Sequence, residues 1–220
     1  MKVLVVAAHP DDELLGVGAT VAKHAAAGDE VTLVVVSEGA SSRYASGADE
    51  ALRASGRAAA GVLGAKDLVF LGLPDQRLDA RPILDVVQPI ERIFDQVGAE
   101  VVYTHHWGDI NRDHRVVSEA VMVAARPVSA RAPRRLLCFE TPSASEWSSN
   151  DLSLAFVPSV FVDVEATIEK KLEAMSKYET ELRPYPHPRS IDALRVRAQY
   201  WGQLAGMRYA EPFVLVRERG

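Results

Sequence analysis

A chain of 220 residues with 48% hydrophobic side chains fits one domain, 1–220, with enough apolar material for a sizeable core. Its net charge of -5 argues against general nucleic-acid binding, which relies on clustered Lys and Arg, and an uncharged or basic small molecule is the easier partner to accept. The single cysteine, Cys138, allows no intramolecular disulfide framework, and no apolar run reaches the span of about 18 residues that a bilayer needs.

The chain begins on strand formers and not on the basic and apolar regions of a secretory signal, so a cytoplasmic protein with no membrane partner is expected. Hydrophobic periodicity predicts strand 2–8, helix 12–27, strand 31–37, helix 48–63, strand 67–71, helix 82–97, strand 100–104 and helix 114–125. Such alternation implies parallel strands joined by crossover helices. Gly28 and Asp29 read as the close of the first helix, Pro82 as a first-turn proline, and Pro89 as a kink or a division within the third. Beyond residue 130 the pattern loosens into strands near 134–140 and 159–164, helices near 165–181 and 190–205, and a last strand near 212–217. Polar loops at 38–48, 141–150 and 183–190 are where substrate contacts are expected. Cys138, in an apolar run, reads as core.

Two polar clusters stand at strand ends. Ala8-His9-Pro10-Asp11-Asp12-Glu13 follows the first strand, and Thr104-His105-His106-Trp107-Gly108-Asp109-Ile110-Asn111-Arg112-Asp113-His114 follows the fourth. Ligands of open α/β sheets bind in the crevice beyond the carboxyl ends of the strands, where both clusters would meet. On the plainer reading, Asp11-Asp12-Glu13 does no more than cap the helix and complement its dipole. Histidines and a carboxylate converging from two strand ends instead make a three-ligand set with room for water, the pattern of a catalytic zinc.

These residues resemble the LmbE-like, or PIG-L, family of zinc-dependent N-deacetylases. The resemblance rests on His9-Pro10-Asp11-Asp12-Glu13 and on Asp109-x-Asn111-x-Asp113-His114. A weaker pattern around Tyr185-Pro186-His187-Pro188-Arg189-Ser190 and Tyr209-Ala210-Glu211-Pro212-Phe213 supports it. It implies a Rossmann-like three-layer α/β/α sandwich with a mostly parallel sheet. It also implies Zn2+ held by His9, Asp12 and His114, Asp11 as general base, and an N-acetylated amino sugar or conjugate as substrate. Many members carry a histidine where this chain has Asn111. The oxyanion donor is then Asn111, His105, or the late histidine His187, acting in its own chain or across a homo-oligomer interface.

Zinc lowers the pKa of bound water to about 7 and polarises the amide carbonyl, and Asp11 can move the proton to the departing amine. Metal-bound histidines give their other N–H to a carboxylate or carbonyl, a role for Asp113 and Asp109, although Asp109 equally fits a loop turn. His106 and Trp107 are candidates for the pocket wall, and His24 has no expected role. Arg43 and Arg53 suit oxygen recognition but read first as surface arginines. Asp75 and Glu140 end strands and can reach a substrate hydroxyl.

Three rivals remain besides a zinc amidase for a non-sugar amide. A dinucleotide module lacks its Gly-x-Gly-x-x-Gly here. A non-haem iron site shares the ligand set but has no need of Asp11. A family member that binds metal without turnover is separated only by assay.

Overall fold

The computed structural model describes residues 1–39, 48–128, 132–149 and 151–220. Strands β1 (Lys2–Ala7), β2 (Glu30–Ser37), β3 (Asp67–Leu73), β4 (Val101–His105) and β5 (Arg135–Phe139) alternate with helices α1 (Asp12–Ala26), α2 (Ala48–Leu63), α3 (Ile83–Val97) and α4 (Arg112–Ala124). The chain then runs through β6 (Val160–Asp163), α5 (Ile168–Met175), α6 (Ile191–Ala205) and β7 (Ala210–Glu218). The seven strands lie in the order β3-β2-β1-β4-β5-β7-β6. Strands β1 to β5 pair in parallel, and β7 is antiparallel to both its neighbours.

The chain winds outward from β1 to β3 on one side and from β4 to β5 on the other, so the connections diverge between β1 and β4. That divergence opens the crevice in which ligands of this architecture bind. Alternate residues of the central strands feed two cores. Val3, Val5, Tyr103 and Phe139 pack with α1, α2, α5 and α6, while Leu4, Val6, Val102 and Leu136 pack with α3 and α4. The result is the expected three-layer sandwich with a mostly parallel sheet. Among the described residues no helix is long and apolar enough to cross a membrane.

Helix α1, which carries the acidic turn, is held unusually deep. A Cβ on Gly16 would lie 2.2 Å from the Phe139 ring, so only glycine permits this approach to β5. Farther along, Glu211 of β7 takes the Ala19 and Thr20 amides at 3.1 and 2.7 Å. Lys171 of α5 joins Glu211 at 2.6 Å and donates to the Leu15 carbonyl at 2.9 Å. A buried ion pair is thus spliced into the backbone of α1, which fixes the helix against α5 and β7.

The predicted boundaries differ in two places. Pro89 does not divide α3, which runs undivided over its fifteen residues; the carbonyl it leaves without a donor belongs to exposed Asp85, where water can satisfy it. The helix expected over 165–181 spans only 168–175. Tyr178 ends it by turning inward, fully buried, to donate to Glu13 Oε1 at 2.8 Å.

Candidate metal and active site

The β1–α1 turn and the β4–α4 loop deliver their polar groups to one point. His9 Nδ1, Asp12 Oδ2 and His114 Nε2 form a triangle with edges of 3.1, 3.2 and 3.2 Å. Donors bound tetrahedrally to zinc at about 2.0–2.1 Å lie roughly 3.3 Å apart, so the triangle matches one face of such a site. Asp12 Oδ1 is buried without a hydrogen-bond partner, an uncompensated oxygen that a cation would satisfy. The donor set fits zinc on both counts.

Each histidine is braced through its other nitrogen. His9 Nε2 lies 3.1 Å from Asp113 Oδ2 and 3.4 Å from Asp75 Oδ1, with the Gln76 carboxamide nitrogen at 3.1 Å. His114 Nδ1 lies 3.1 Å from Asp109 Oδ2, which also accepts from Ser145 Oγ at 3.0 Å. Proton-bearing outer nitrogens would leave the inner ones as lone-pair donors, the state a metal requires. Burial opposes charge on His9, but hydrogen bonds to Asp113 and Asp12 outweigh it and raise its pKa to about 10. His114 is raised to about 9 against the same burial, chiefly by Asp12 and Asp109. The site is built for positive charge.

His105 has a different part. Its Nε2 accepts from the Ala8 amide at 2.9 Å, its Nδ1 meets Thr141 Oγ1 at 2.9 Å, and its ring stacks on His114 with centroids 4.0 Å apart. Burial, helped by the charge of His114, lowers its pKa to about 3. With both nitrogens engaged and no exposed surface, His105 has no donor left for a substrate oxyanion. It is a neutral plate beneath the ligand.

Asp11 begins α1 in a left-handed conformation, φ 98°, and its side chain makes no cap hydrogen bond. The capping account of this turn therefore fails. Its carboxylate instead meets Arg189 Nη1 at 2.9 Å. Burial drives its pKa well above the usual carboxylate range, with the Arg189 charge pulling the other way. Glu13 is likewise raised by burial, to about 7.

A cavity of about 660 Å³ opens over this cluster, with Gln76, Asn111, His114, Trp147, His187 and Arg189 in its wall. Asn111 uses Oδ1 to cap α4 through the Asp113 amide at 2.9 Å, which leaves its Nδ2 as a donor. His187 accepts from the Arg189 amide on Nδ1 at 3.1 Å. Burial and the charges of Arg189 and Arg183 lower its pKa, so the neutral ring carries its proton on Nε2. Trp147 stands edge-on to that ring at 5.8 Å. His187 lines the cavity of its own chain.

Other predicted residues lie elsewhere. Glu140 is clamped by Arg197 at 2.7 and 2.8 Å and by Trp201 Nε1 at 2.6 Å, so it anchors α6 and does not reach the cavity. Asp75 is buried beside His9, with its Oδ1 3.4 Å from His9 Nε2. Arg53 stacks over Phe70 at 4.9 Å, and His106 packs against Trp107 and Phe156. Arg43 lies outside the described residues.

Sequence reasoning gave no part to Arg189, Glu181, Ser143, Ser145 or Tyr178. Only Arg189 carried a signal, as a member of the Tyr185–Ser190 pattern. The others are ordinary loop residues whose partners lie far along the chain.

A sequence profile described as PIG-L, GlcNAc-PI de-N-acetylase, matches residues 4–125. The chain is 33% identical over 186 residues to the uncharacterized deacetylase YaiS of Escherichia coli K12, covering 81% of this chain and 90% of that one. It is 28% identical over 225 residues to the diacetylchitobiose deacetylase of Thermococcus kodakarensis, covering 96% and 81%. GalB, the 4-carboxy-2-hydroxymuconate hydratase of Pseudomonas putida KT2440, superposes with a TM-score of 0.78 at 24% identity, covering 100% and 98%. A hydratase on this scaffold means that the fold alone does not select the reaction.

Proposed function

Because this chain belongs to the PIG-L family, we propose that it is a zinc-dependent N-deacetylase that removes the acetyl group from an amino sugar or amino-sugar conjugate, through one domain spanning 1–220. The observation that carries this reading is the triangle of His9, Asp12 and His114 beside a buried Asp11 that binds no helix amide. The substrate class follows from the relative of T. kodakarensis, whose name states a diacetylated chitobiose.

His9, Asp12 and His114 would hold the ion. Bound there, zinc supplies a Lewis acid that brings the pKa of water to about 7 and polarises an amide carbonyl. Asp11 acts as general base, taking the proton of the attacking water and returning it to the departing amine nitrogen. Burial raises the proton affinity of its carboxylate, which suits both transfers. His187 and Asn111 line the same cavity, and the Nε2–H of the first and the Nδ2–H of the second serve as donors to the developing oxyanion. Asp109, Asp113 and Asp75 keep the ligand histidines in register.

Zinc-loaded protein incubated with N-acetylglucosamine, N,N′-diacetylchitobiose and a simple aliphatic acetamide tests the reading, with release of primary amine as the signal. Amine from the sugars is expected, along with a zinc-replete but inactive Asp11→Asn. Release from the aliphatic acetamide alone would replace the sugar reading with a general amidase. No release from any substrate, or no bound zinc, would overturn it.

A further inference from the structure

The carboxylate of the proposed base takes no hydrogen bond from the helix that it opens. Asp11 sits in left-handed backbone, costly for a residue with a Cβ, and donates its amide to Glu13 Oε2 at 3.1 Å. Its carboxylate makes no bond to the first turn of α1. The helix therefore does not dictate where the carboxylate points.

Arg189, 178 residues away, does. Its Nη1 donates to Asp11 Oδ2 at 2.9 Å and to Glu181 Oε2 at 3.2 Å, and its Nε donates to Ser143 Oγ at 2.8 Å. Three acceptors from three segments hold one planar guanidinium, a geometry that an ammonium cannot copy. The same residue's amide fixes the tautomer of His187. Both carboxylates are deeply buried, with side-chain exposures of 2% for Asp11 and 9% for Glu181.

We infer that Arg189 is the positioning residue for Asp11: it fixes the base through one carboxylate oxygen and leaves the other for the proton in transit. This rests on the reading of Asp11 as general base. It assigns a mechanistic part to the Tyr185–Ser190 segment, which contributes His187 and Arg189 to the cavity wall.

The test uses Arg189→Ala, Arg189→Lys, Asp11→Asn and the Asp11→Asn/Arg189→Ala pair, with zinc content, kcat and KM on N,N′-diacetylchitobiose for each. Arg189→Ala is expected to lower kcat by about 10- to 100-fold with zinc content and KM little changed, the signature of a misplaced group. Added guanidinium ion should restore part of that kcat, but not in the paired variant, and Arg189→Lys should restore less than full activity. In the metal-free chain, urea unfolding of the four-member cycle should be non-additive, since the two side chains share one contact. A raised KM at unchanged kcat, or an additive unfolding cycle, would overturn the inference. If Asp11→Asn turns over normally, the base reading itself fails. If Asp11→Asn is inactive while Arg189→Ala has normal kcat, the inference alone fails. If the wild-type chain releases no amine, the unfolding cycle still decides whether Arg189 holds Asp11.

Discussion

The two halves of the site draw their support from different parts of the chain. On the side of the proposed ligands, His114 leans on Asp109 in the β4–α4 connection, while His9 leans across on Asp113 in the first turn of α4, 104 residues away. On the base side, Asp11 leans on Arg189, which in turn leans on Ser143 and Glu181. A metal site needs a few donors within a few ångströms, and the two strand-end motifs together supply both the donors and the carboxylates Asp109 and Asp113 that brace them. A proton-transfer group needs a tuned environment, and that is assembled from remote segments. Mutations on the ligand side should therefore act through metal affinity, and those on the base side through turnover.

The largest effect is expected from His114→Ala, which removes one corner of the triangle. Zinc should be lost in dialysis and turnover with it, and stoichiometric zinc in the purified variant would contradict the ligand assignment. Asp109→Asn keeps the shape but weakens the brace on His114. Zinc affinity by chelator competition should fall by about 10- to 100-fold, as for other partners of metal-bound histidines. If affinity holds and kcat falls instead, the division between the two sides is wrong.

A pH prediction sharpens the same contrast. Burial opposes charge on His9 and His114, yet the surrounding carboxylates lift them to about 10 and about 9, above an unfolded value of 6.5. Bases raised in the folded state stabilise it fully below about pH 6.5, and that contribution disappears as pH rises through the folded values. The metal-free chain should therefore lose urea resistance between about pH 7 and 10. The zinc-loaded chain, whose imidazoles are already neutral, should lose far less. A metal-free midpoint that is flat across this window would remove the electrostatic account of the ligand side.

The same division explains what could be read from the amino-acid sequence. The alternating elements, the buried Val and Leu strands and both strand-end motifs were legible because strand and helix periods are local and the motifs are contiguous. His105 was legible as a member of the cluster but not as a plate under His114, since its partners Ala8 and Thr141 come from just after β1 and just after β5. Glu140 could not be separated from the site on sequence, because its partners Arg197 and Trp201 lie 57 and 61 residues ahead on α6. Of the Lys171–Glu211 insertion into α1, only Glu211 carried a signal, as a member of the Tyr209–Phe213 pattern. A buried lysine in an amphipathic helix looks like any solvated one until the fold supplies its carboxylate.

The smallest effect, and the sharpest test, concerns two serines on one turn. Ser143 Oγ accepts from Arg189 and so belongs to the base side, while Ser145 Oγ donates to Asp109 and belongs to the ligand side. Glu146 fixes the turn between them by accepting the amides of Ser143 and Ala144 at 2.9 and 3.2 Å. Ser145→Ala removes one of the bonds to Asp109, which keeps the Asn111 amide on its other oxygen, so the carboxylate stays nearly in place. A hydrogen bond to a charged group is worth about 1.5–3 kcal/mol, and with the Asn111 amide still holding Asp109 only part of that reaches the metal, so zinc affinity should fall roughly 5-fold with kcat at saturating zinc unchanged. Ser143→Ala should give the mirror image: zinc affinity unchanged and kcat lowered by a similar factor, because the Arg189 fork loses the Ser143 acceptor. Chelator competition and steady-state rates on the two variants decide the matter. If both serines shift both quantities, the turn acts as one unit and the separation of ligand side from base side does not hold.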